Sequence, residues 1–420
     1  MTDTVAEIDI VRTNDGVPLK TKLARTNRIN RMMAGGLVLP LFAFIIITFV
    51  IPIANMMYRS VDNPVIIERM PETVALIQHW DGEGLPSEEV YASTFRELSA
   101  LFKVKDHAKV GTRLNYYKGG MRSLITRSAR KLKRVKSGPY REALIKIDKR
   151  WGEKETWTIF KLNSTETTFS FLLAAMDMKY DLDGDVVQVE EDRQIYVNIF
   201  GRTLWISLLV TGVALLLGFP LAYLLATLPL ATSNLLMIMV LLPFWTSLLV
   251  RTTSWIVLLQ TQGVVNDVLV WLGILSEDGR VQLIYNQTGT IVAMTHILLP
   301  FMVLPLFSVM KTIPPTYLRA ARSLGATPTR AFWQVYAPLT VPGAGAGCIL
   351  VFILSVGYYI TPALVGGRTG QMISNFIAFH MQKSLNWGLA AALGALLLFG
   401  VLGLYWLYGR IVGVDKMKFG

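Results

Sequence analysis

The sequence predicts an all-α membrane protein that crosses the bilayer six times and carries a large, mainly helical insertion. Of its 420 residues, 52% are hydrophobic, and a mean hydropathy of +0.44 is too high for a soluble protein. A helix needs about 20 apolar residues to cross about 30 Å of hydrocarbon. Six segments meet that length, at about 34–58, 202–228, 234–259, 290–311, 342–363 and 388–410.

The N-terminal tail, residues 1–33, is polar and precedes the first span. Its basic residues are Arg12, Lys20, Lys22, Arg25, Arg28 and Arg31. Basic residues beside a first span keep that end in the cytoplasm, and an apolar run of spanning length is expected to stay as an anchor rather than be cleaved. Six crossings return the C-terminal tail, 412–420, to the cytoplasm. The outward loops at 260–289 and 364–387 hold few basic residues, as this orientation requires.

Residues 59–201 form a polar insertion between the first and second spans. The map of spans places it on the outer side, because loops longer than about 60 residues translocate regardless of charge. Segment 103–154 holds 17 Lys and Arg against 4 Asp and Glu, which accounts for the chain's net charge of +12. We expect this extracytoplasmic insertion to be an accessory domain rather than part of the pore.

Two stretches of the insertion, 122–135 and 141–151, have apolar residues at helical intervals between basic ones. In the first stretch these are Leu124, Ile125, Ala129, Leu132 and Val135. The favoured interpretation is a solvated small domain whose apolar faces pack on each other. The alternative is a basic amphipathic helix that lies on anionic lipid; nucleic acid is not expected outside a membrane.

A basic stretch lies between the fourth and fifth spans, at 312–343 (TIPPTYLRAARSLGATPTRAFWQVYAPLTVPG). It predicts a helix-turn-helix knob at the cytoplasmic surface. The first helix covers 317–324, and Gly325 supplies a left-handed turn. Thr327 caps a second helix that starts at Pro328 and that Pro338 is expected to stop.

This knob resembles the coupling loop of permease subunits of ATP-binding-cassette importers, which contacts the ATPase. The family's pattern is Glu-Ala-Ala, three residues, Gly, nine residues, Ile, one residue, Leu-Pro. We assign the coupling loop to residues 312–341. The positions in it that correspond to the family's pattern are Arg319, Ala320, Ala321, Gly325, Val335 and Pro338. Arg319 stands where the family usually has Glu, and Ala337 where it has Leu.

Three stretches resemble the first permease of spermidine/putrescine-type importers. They lie at 201–226, 241–260 (LLPFWTSLLVRTTSWIVLLQ) and 263–274. In that family a Pro-Phe-Trp-Thr-Ser, Val-Arg-Thr and Trp pattern recurs. The resemblance covers about 201–410 and implies a core permease domain, 202–411, of the type I importer fold. The insertion is much longer than the family's usual loop.

Five polar or aromatic residues are candidates for the translocation path: Trp245, Arg251, Trp255, Tyr358 and Tyr359. A buried Arg in a span costs at least about 2.5 to 3.5 kcal/mol, so Arg251 should face protein or water, or else reach the outer headgroups. Aromatic faces attract ammonium groups, although such residues more often serve in packing or at the membrane interface.

No catalytic or metal site is expected in this chain. It lacks G-x-x-x-x-G-K-[ST], so ATP and Mg²⁺ should bind a separate ATPase. The four His residues are scattered, and His296 is expected to be packed or hydrogen-bonded rather than a proton relay. The acidic run at 181–185 departs from a calcium loop in the position of its Gly and lacks the later Glu.

Together these features predict a permease subunit in the bacterial inner membrane, with both termini cytoplasmic, that imports a polyamine or related amine. The resemblance implies a second permease, an ATPase dimer and an extracytoplasmic solute-binding protein as partners, besides membrane lipid. One alternative is an importer of another small organic solute, such as an opine, an amino-acid derivative or a ferric chelate. Another is a membrane-anchored sensor or structural protein whose outer domain is the functional part.

Overall fold

The computed structural model describes residues 19–135, 138–181 and 184–412, and the chain divides into a unit at 1–58 and a unit at 59–420. The remaining parts of both predicted tails, and two residues of the acidic run at 181–185, lie outside the described residues. In the first unit, α1 (Leu19–Ile45), a π-helical turn (Ile46–Val50) and α2 (Ile51–Tyr58) follow one another. They contain the predicted first span.

The second unit contains the other membrane helices. Those are α11 (Tyr196–Thr227), α12 (Leu230–Trp245), α13 (Leu248–Leu259), α14 (Val264–Trp271), α15 (Gln287–Thr312), α18 (Ala337–Gly357) and α22 (Trp387–Val412). Among the residues described in both units, five helices are long and apolar enough to cross a membrane, or six if a bent pair counts as one span. Shorter helices connect them: α16 (Thr316–Ser323), α17 (Pro328–Ala331), α19 (Ile360–Val365), α20 (Gly367–Gly370) and α21 (Ile373–Gln382).

The third predicted span, 234–259, is not one straight helix. It breaks between Trp245 and Leu248, and the two halves are bent by 98°. The Ser247 hydroxyl accepts a hydrogen bond from the Val250 N–H at 3.2 Å and so caps a new helix, while Pro243 weakens the last turn of the old one.

The fifth predicted span ends earlier than expected, at Gly357 rather than at residue 363. Tyr358 is extended, and its carbonyl accepts a hydrogen bond from Ser374 Oγ at 2.5 Å. The neighbouring Tyr359 carbonyl accepts one from Asn375 Nδ2 at 2.7 Å. These side chains of α21 satisfy the carbonyls that a longer helix would use.

The core of the membrane part forms where α11, α15 and α18 pack together. Small residues allow a close approach: a Cβ at Gly347 would lie 2.7 Å from Met302 Sδ, and one at Gly218 would lie 3.0 Å from Met302 Cγ. Met302 itself is fully buried. Gly347 and Gly218 therefore let α18 and α11 approach α15 closely.

The insertion is a helical domain with its own core. Its elements are α3 (Pro64–Arg69), α4 (Pro71–Gln78), α5 (Glu88–Lys103), α6 (His107–Asn115), α7 (Met121–Lys131), α8 (Tyr140–Ile147), α9 (Lys154–Leu162), α10 (Ser170–Ala175) and an antiparallel hairpin of β1 (Met178–Tyr180) and β2 (Val186–Gln188). Leu124 and Ile125 are fully buried in a cluster with Trp151 and Trp157. The apolar face of α7 therefore packs inside the domain, as the favoured interpretation expects, and is not free to enter a bilayer.

The insertion is fixed to the membrane helices at its base. Phe171 and Ala175 of α10 pack against Leu389 of α22 in one buried cluster. Asp177, only 3% exposed, accepts hydrogen bonds from the N–H groups of the first residues of α11, including Val197 at 2.8 Å. A carboxylate at a helix N-terminus is favourable both as a cap and in the helix dipole.

Candidate functional site

The first half of the predicted knob is α16 and the turn that ends it. Gly325 has φ +88°, a left-handed conformation that side chains with a Cβ rarely adopt. The Gly325 N–H donates to the Arg322 carbonyl at 3.0 Å, and the Ala326 N–H donates to the Ala321 carbonyl at 3.1 Å. This pair of bonds is the Schellman motif, and it fixes the direction in which the chain leaves α16.

The second half of the knob starts as expected but does not end at Pro338. Thr327 Oγ1 accepts a hydrogen bond from the Arg330 N–H at 3.3 Å, and Pro328 opens α17. A π-helical turn at Phe332–Tyr336 then leads directly into α18. Pro338 lies in the first turn of α18 after this wide turn, where its missing N–H is tolerated, so the helix continues.

Aromatic packing anchors the knob to the end of α11. The rings of Phe332 and Tyr336 are stacked, with centroids 5.6 Å apart. Tyr223 meets both edge-on, at 5.6 Å and 5.3 Å. Tyr336 is 4% exposed. These well-packed rings join the second half of the knob to a membrane helix.

The outer surface of the knob carries apolar and basic side chains that the rest of the described chain leaves uncovered. Leu324 is 89% exposed, Trp333 66% and Tyr317 51%. Arg319 and Ala320 are exposed, Ala321 and Val335 are half-buried, and Pro338 is exposed. Exposed large apolar side chains grouped in this way are typical of a protein interaction site.

The candidate path residues come together only in part. Trp255 Nε1 donates to His296 Nδ1 at 3.2 Å, with the two rings 5.5 Å apart. Arg251, one turn earlier on α13, acts electrostatically on both His296 and Tyr358. Its Nε is buried without a hydrogen-bond partner among the described residues. A cation, two aromatic rings and an imidazole therefore share one region.

Trp245 and Tyr359 are not part of that group. Trp245 is 79% exposed and lies before the break in the third span, and Tyr359 is 42% exposed. Within the described ranges, no hydrogen bond or ring contact joins either side chain to Arg251 or Trp255. The break reorients α13 relative to α12, which the sequence interpretation of a single straight span did not anticipate.

Two threonines in this region had no recognisable signal in the sequence. Thr252 Oγ1 and Thr361 Oγ1 lie 3.3 Å apart, and both residues are fully buried. Their hydrogen bond joins α13 to α19 beside Arg251.

His296 was expected to be packed or hydrogen-bonded, and its bond with Trp255 confirms this.

Acidic side chains are scarce on the described membrane helices near this group. Between residues 196 and 412, all of them described, the acidic residues are Asp267, Glu277 and Asp278. Arg280 pairs with Asp267 at 2.7 Å and with Glu277 at 2.9 Å. The described membrane helices of this chain thus offer aromatic faces and a cation to a solute near Arg251, and their one carboxylate, Asp267 of α14, is already paired with Arg280.

Known proteins resemble the second half of the chain. The family described as binding-protein-dependent transport system inner membrane component matches residues 199–412. The spermidine/putrescine transport system permease protein PotB of Escherichia coli K12 is 34% identical over 221 residues, which are 52% of this chain and 80% of PotB. The inner membrane ABC transporter permease protein YdcU of the same organism is 34% identical over 205 residues, 46% of this chain and 65% of YdcU. A crystal structure of a bacterial ABC transporter that imports alginate aligns with a TM-score of 0.43 and 19% identity, over 53% of this chain and 80% of the other.

Proposed function

Because this chain belongs to the family of binding-protein-dependent transport system inner membrane components, and is the permease subunit of an ATP-binding-cassette importer, we propose that it passes a polyamine or a related small amine into the cytoplasm. The relatives named for spermidine and putrescine transport support this substrate class. The family match covers the knob and the path, so the rival interpretation as a sensor or structural protein is set aside.

The observation that carries the proposal is the knob at 312–341. It presents exposed Leu324 and Trp333 beside the small residue Ala320, and it is braced on α11 by Tyr223. We propose that this surface binds the ATPase dimer, which would hold ATP and Mg²⁺, since the sequence has no phosphate-binding loop. Arg319 would then meet an acidic or polar group of the ATPase rather than the basic group that a Glu would pair with.

A polyamine is positively charged and needs more carboxylates than the described membrane helices of this chain provide. Trp255 and Tyr358 offer aromatic faces that attract ammonium groups, but Arg251 repels them, and the one carboxylate on the described membrane helices, Asp267, is already paired with Arg280. We therefore propose that the carboxylates that neutralise the substrate come from the second permease across the path.

A second candidate substrate class follows from Arg251. Its buried, unpartnered Nε would favour a solute that carries a carboxylate, such as an opine, an amino-acid derivative or a ferric chelate. Such a solute would satisfy the guanidinium directly. A polyamine would instead leave it facing protein groups.

The orientation proposed for the chain follows the positive-inside rule. Both termini and the knob lie in the cytoplasm of a bacterial inner membrane, and the insertion at 59–201 lies outside. The solute-binding protein then delivers its solute on the side of the insertion. The bilayer surrounds the exposed apolar faces of the membrane helices.

Uptake into proteoliposomes tests the substrate class. The complex of both permeases and the ATPase, with ATP inside and the loaded binding protein outside, should accumulate radiolabelled spermidine or putrescine. Unlabelled spermidine should compete, whereas octopine and glutamate should not. Uptake that only carboxylated solutes inhibit would overturn the polyamine assignment and favour the second class.

A further inference from the structure

The charges of the insertion are separated along the chain. Segment 103–154 holds 17 Lys and Arg against 4 Asp and Glu, while 59–102 holds 3 against 8 and 155–195 holds 3 against 9. The insertion as a whole is therefore nearly neutral, and its basic character is confined to one part. A local excess of this size creates a directed field rather than a general attraction.

Helix α7 presents the centre of this basic part. Its residues 121, 124, 125, 128 and 129 are buried in the domain core. The opposite side carries Arg122, Arg127, Arg130 and Lys131, all exposed, which we call the α7 basic face. Helical periodicity explains the division, because the buried positions recur three and four residues apart.

Three of the four acidic residues in segment 103–154, namely Asp106, Asp148 and Glu153, already pair with basic side chains. Asp106 pairs with Lys109 at 2.7 Å and with Arg69 at 3.0 Å, and Asp148 pairs with Arg150 at 2.8 Å. Hydrogen bonds from the Arg150 guanidinium hold the pKa of Asp148 below its usual range. Both carboxylates are therefore ionised and already engaged at neutral pH.

Many basic side chains remain without a counter-charge. Among the residues the structure describes, no carboxylate lies within 4 Å of Lys103, Lys105, Arg122, Arg130, Lys131, Lys133, Lys146 or Lys149. Within the α7 basic face, Arg127 alone approaches one, Asp148 at 3.6 Å. The excess charge is thus directed at solvent or at a partner.

A series of packed and hydrogen-bonded contacts connects this face to the membrane helices. Arg113 of α6 is 4% exposed, donates from Nε to Asn63 Oδ1 at 3.0 Å, and lies 4.5 Å from the ring of Phe171. Phe171 in turn packs on Leu389 of α22. Helix α6 packs against α7, so the chain of contacts runs from the basic face to a membrane helix.

We propose that the α7 basic face is a docking surface for an acidic surface of the solute-binding protein. This inference rests on the proposed function, which places the insertion and the binding protein on the same side of the membrane. Anionic lipid is the less suitable occupant, because the apolar side chains of α7 are buried in the domain and none is left to enter a bilayer. Surface charges of this kind mainly raise the rate of association and make it sensitive to salt.

The test measures binding of the purified solute-binding protein, chosen as the one that supports uptake, to the complete transporter in nanodiscs. Reversing the charge with Arg122→Glu, Arg130→Glu and Lys131→Glu should weaken binding about tenfold at an ionic strength of about 0.01 M, mostly through slower association. At about 0.15 M, where the Debye length falls from about 30 to about 8 Å, the difference should shrink.

Two controls make each outcome informative. The variant Arg122→Lys and Arg130→Lys keeps the charge and should bind like the parent protein. Unchanged binding by the charge-reversed variant, with an unchanged Tm, would overturn the proposal. A loss seen in phosphatidylglycerol nanodiscs but not in phosphatidylcholine nanodiscs would assign the face to lipid instead. If the parent complex binds no solute-binding protein and contains no ATPase, the proposed function itself fails.

Discussion

Replacing Gly325 with proline should reduce solute uptake to background while the subunit stays in the membrane. Proline fixes φ near −65°, whereas Gly325 has φ +88°, and it removes the N–H that donates to the Arg322 carbonyl. A misfit of this kind costs about 3 kcal/mol or more, which leaves about one knob in a hundred in its productive geometry. The measurement is uptake of labelled spermidine into proteoliposomes, with the amount of assembled complex determined in parallel.

Asparagine at the same position is the matched control. It is the side chain other than glycine that most readily occupies the left-handed region, and no other atom lies within 4 Å of a Cβ at Gly325. The asparagine variant should keep most of the uptake. If the proline variant transports as well as the asparagine variant, the knob is not the coupling element.

Replacing Gly347 with leucine should prevent the membrane core from forming. A Cβ at this position already meets Met302 Sδ at 2.7 Å and the Met302 carbonyl oxygen at 3.1 Å, and the second contact is backbone that cannot move aside. Helices α15 and α18 would have to separate. Overpacking of a core typically costs about 1 to 3 kcal/mol, and a backbone clash costs more. We expect a lower Tm in detergent and loss of the monodisperse peak in size-exclusion chromatography.

Leucine at Gly403 of α22 provides the comparison, because nothing lies within 4 Å of a Cβ there and the residue is exposed. The same added side chain should then leave Tm nearly unchanged. Equal Tm values for the two variants would show that α15 and α18 are not packed as closely as the structure places them.

The knob was largely predictable from the sequence because its signals are local. A Gly after a short basic helix, then Thr and Pro, specify a left-handed turn and a capped restart whatever surrounds them. The prediction that Pro338 ends the second helix of the knob was wrong. A proline usually ends a helix, but here the π-helical turn at Phe332–Tyr336, held by rings on α11, shifts the helix so that the proline falls in a first turn.

The arrangement of the candidate path residues was predictable only in part because it depends on residues distant in the sequence. The sequence identified Arg251 and Trp255 by their chemistry. It could not show that the segments Leu230–Trp245 and Leu248–Trp271 are bent by 98°, which separates Trp245 from those two residues. Nor could it show that Ser374 ends the fifth span by donating a hydrogen bond to the Tyr358 carbonyl. In the insertion, by contrast, apolar periodicity alone identified the buried face of α7, since burial follows helical spacing.

The proposed function requires that the knob face the ATPase in the cytoplasm and that the insertion face the solute-binding protein outside. Two exposed serines, Ser123 in α7 and Ser323 in α16, can each be changed to cysteine in a chain whose own Cys348 is replaced by alanine. A membrane-impermeant maleimide applied to intact spheroplasts should label Ser123→Cys and leave Ser323→Cys unlabelled until the membrane is permeabilised. Labelling of Ser323→Cys from outside, with Ser123→Cys protected, would contradict the orientation and the roles assigned to both elements.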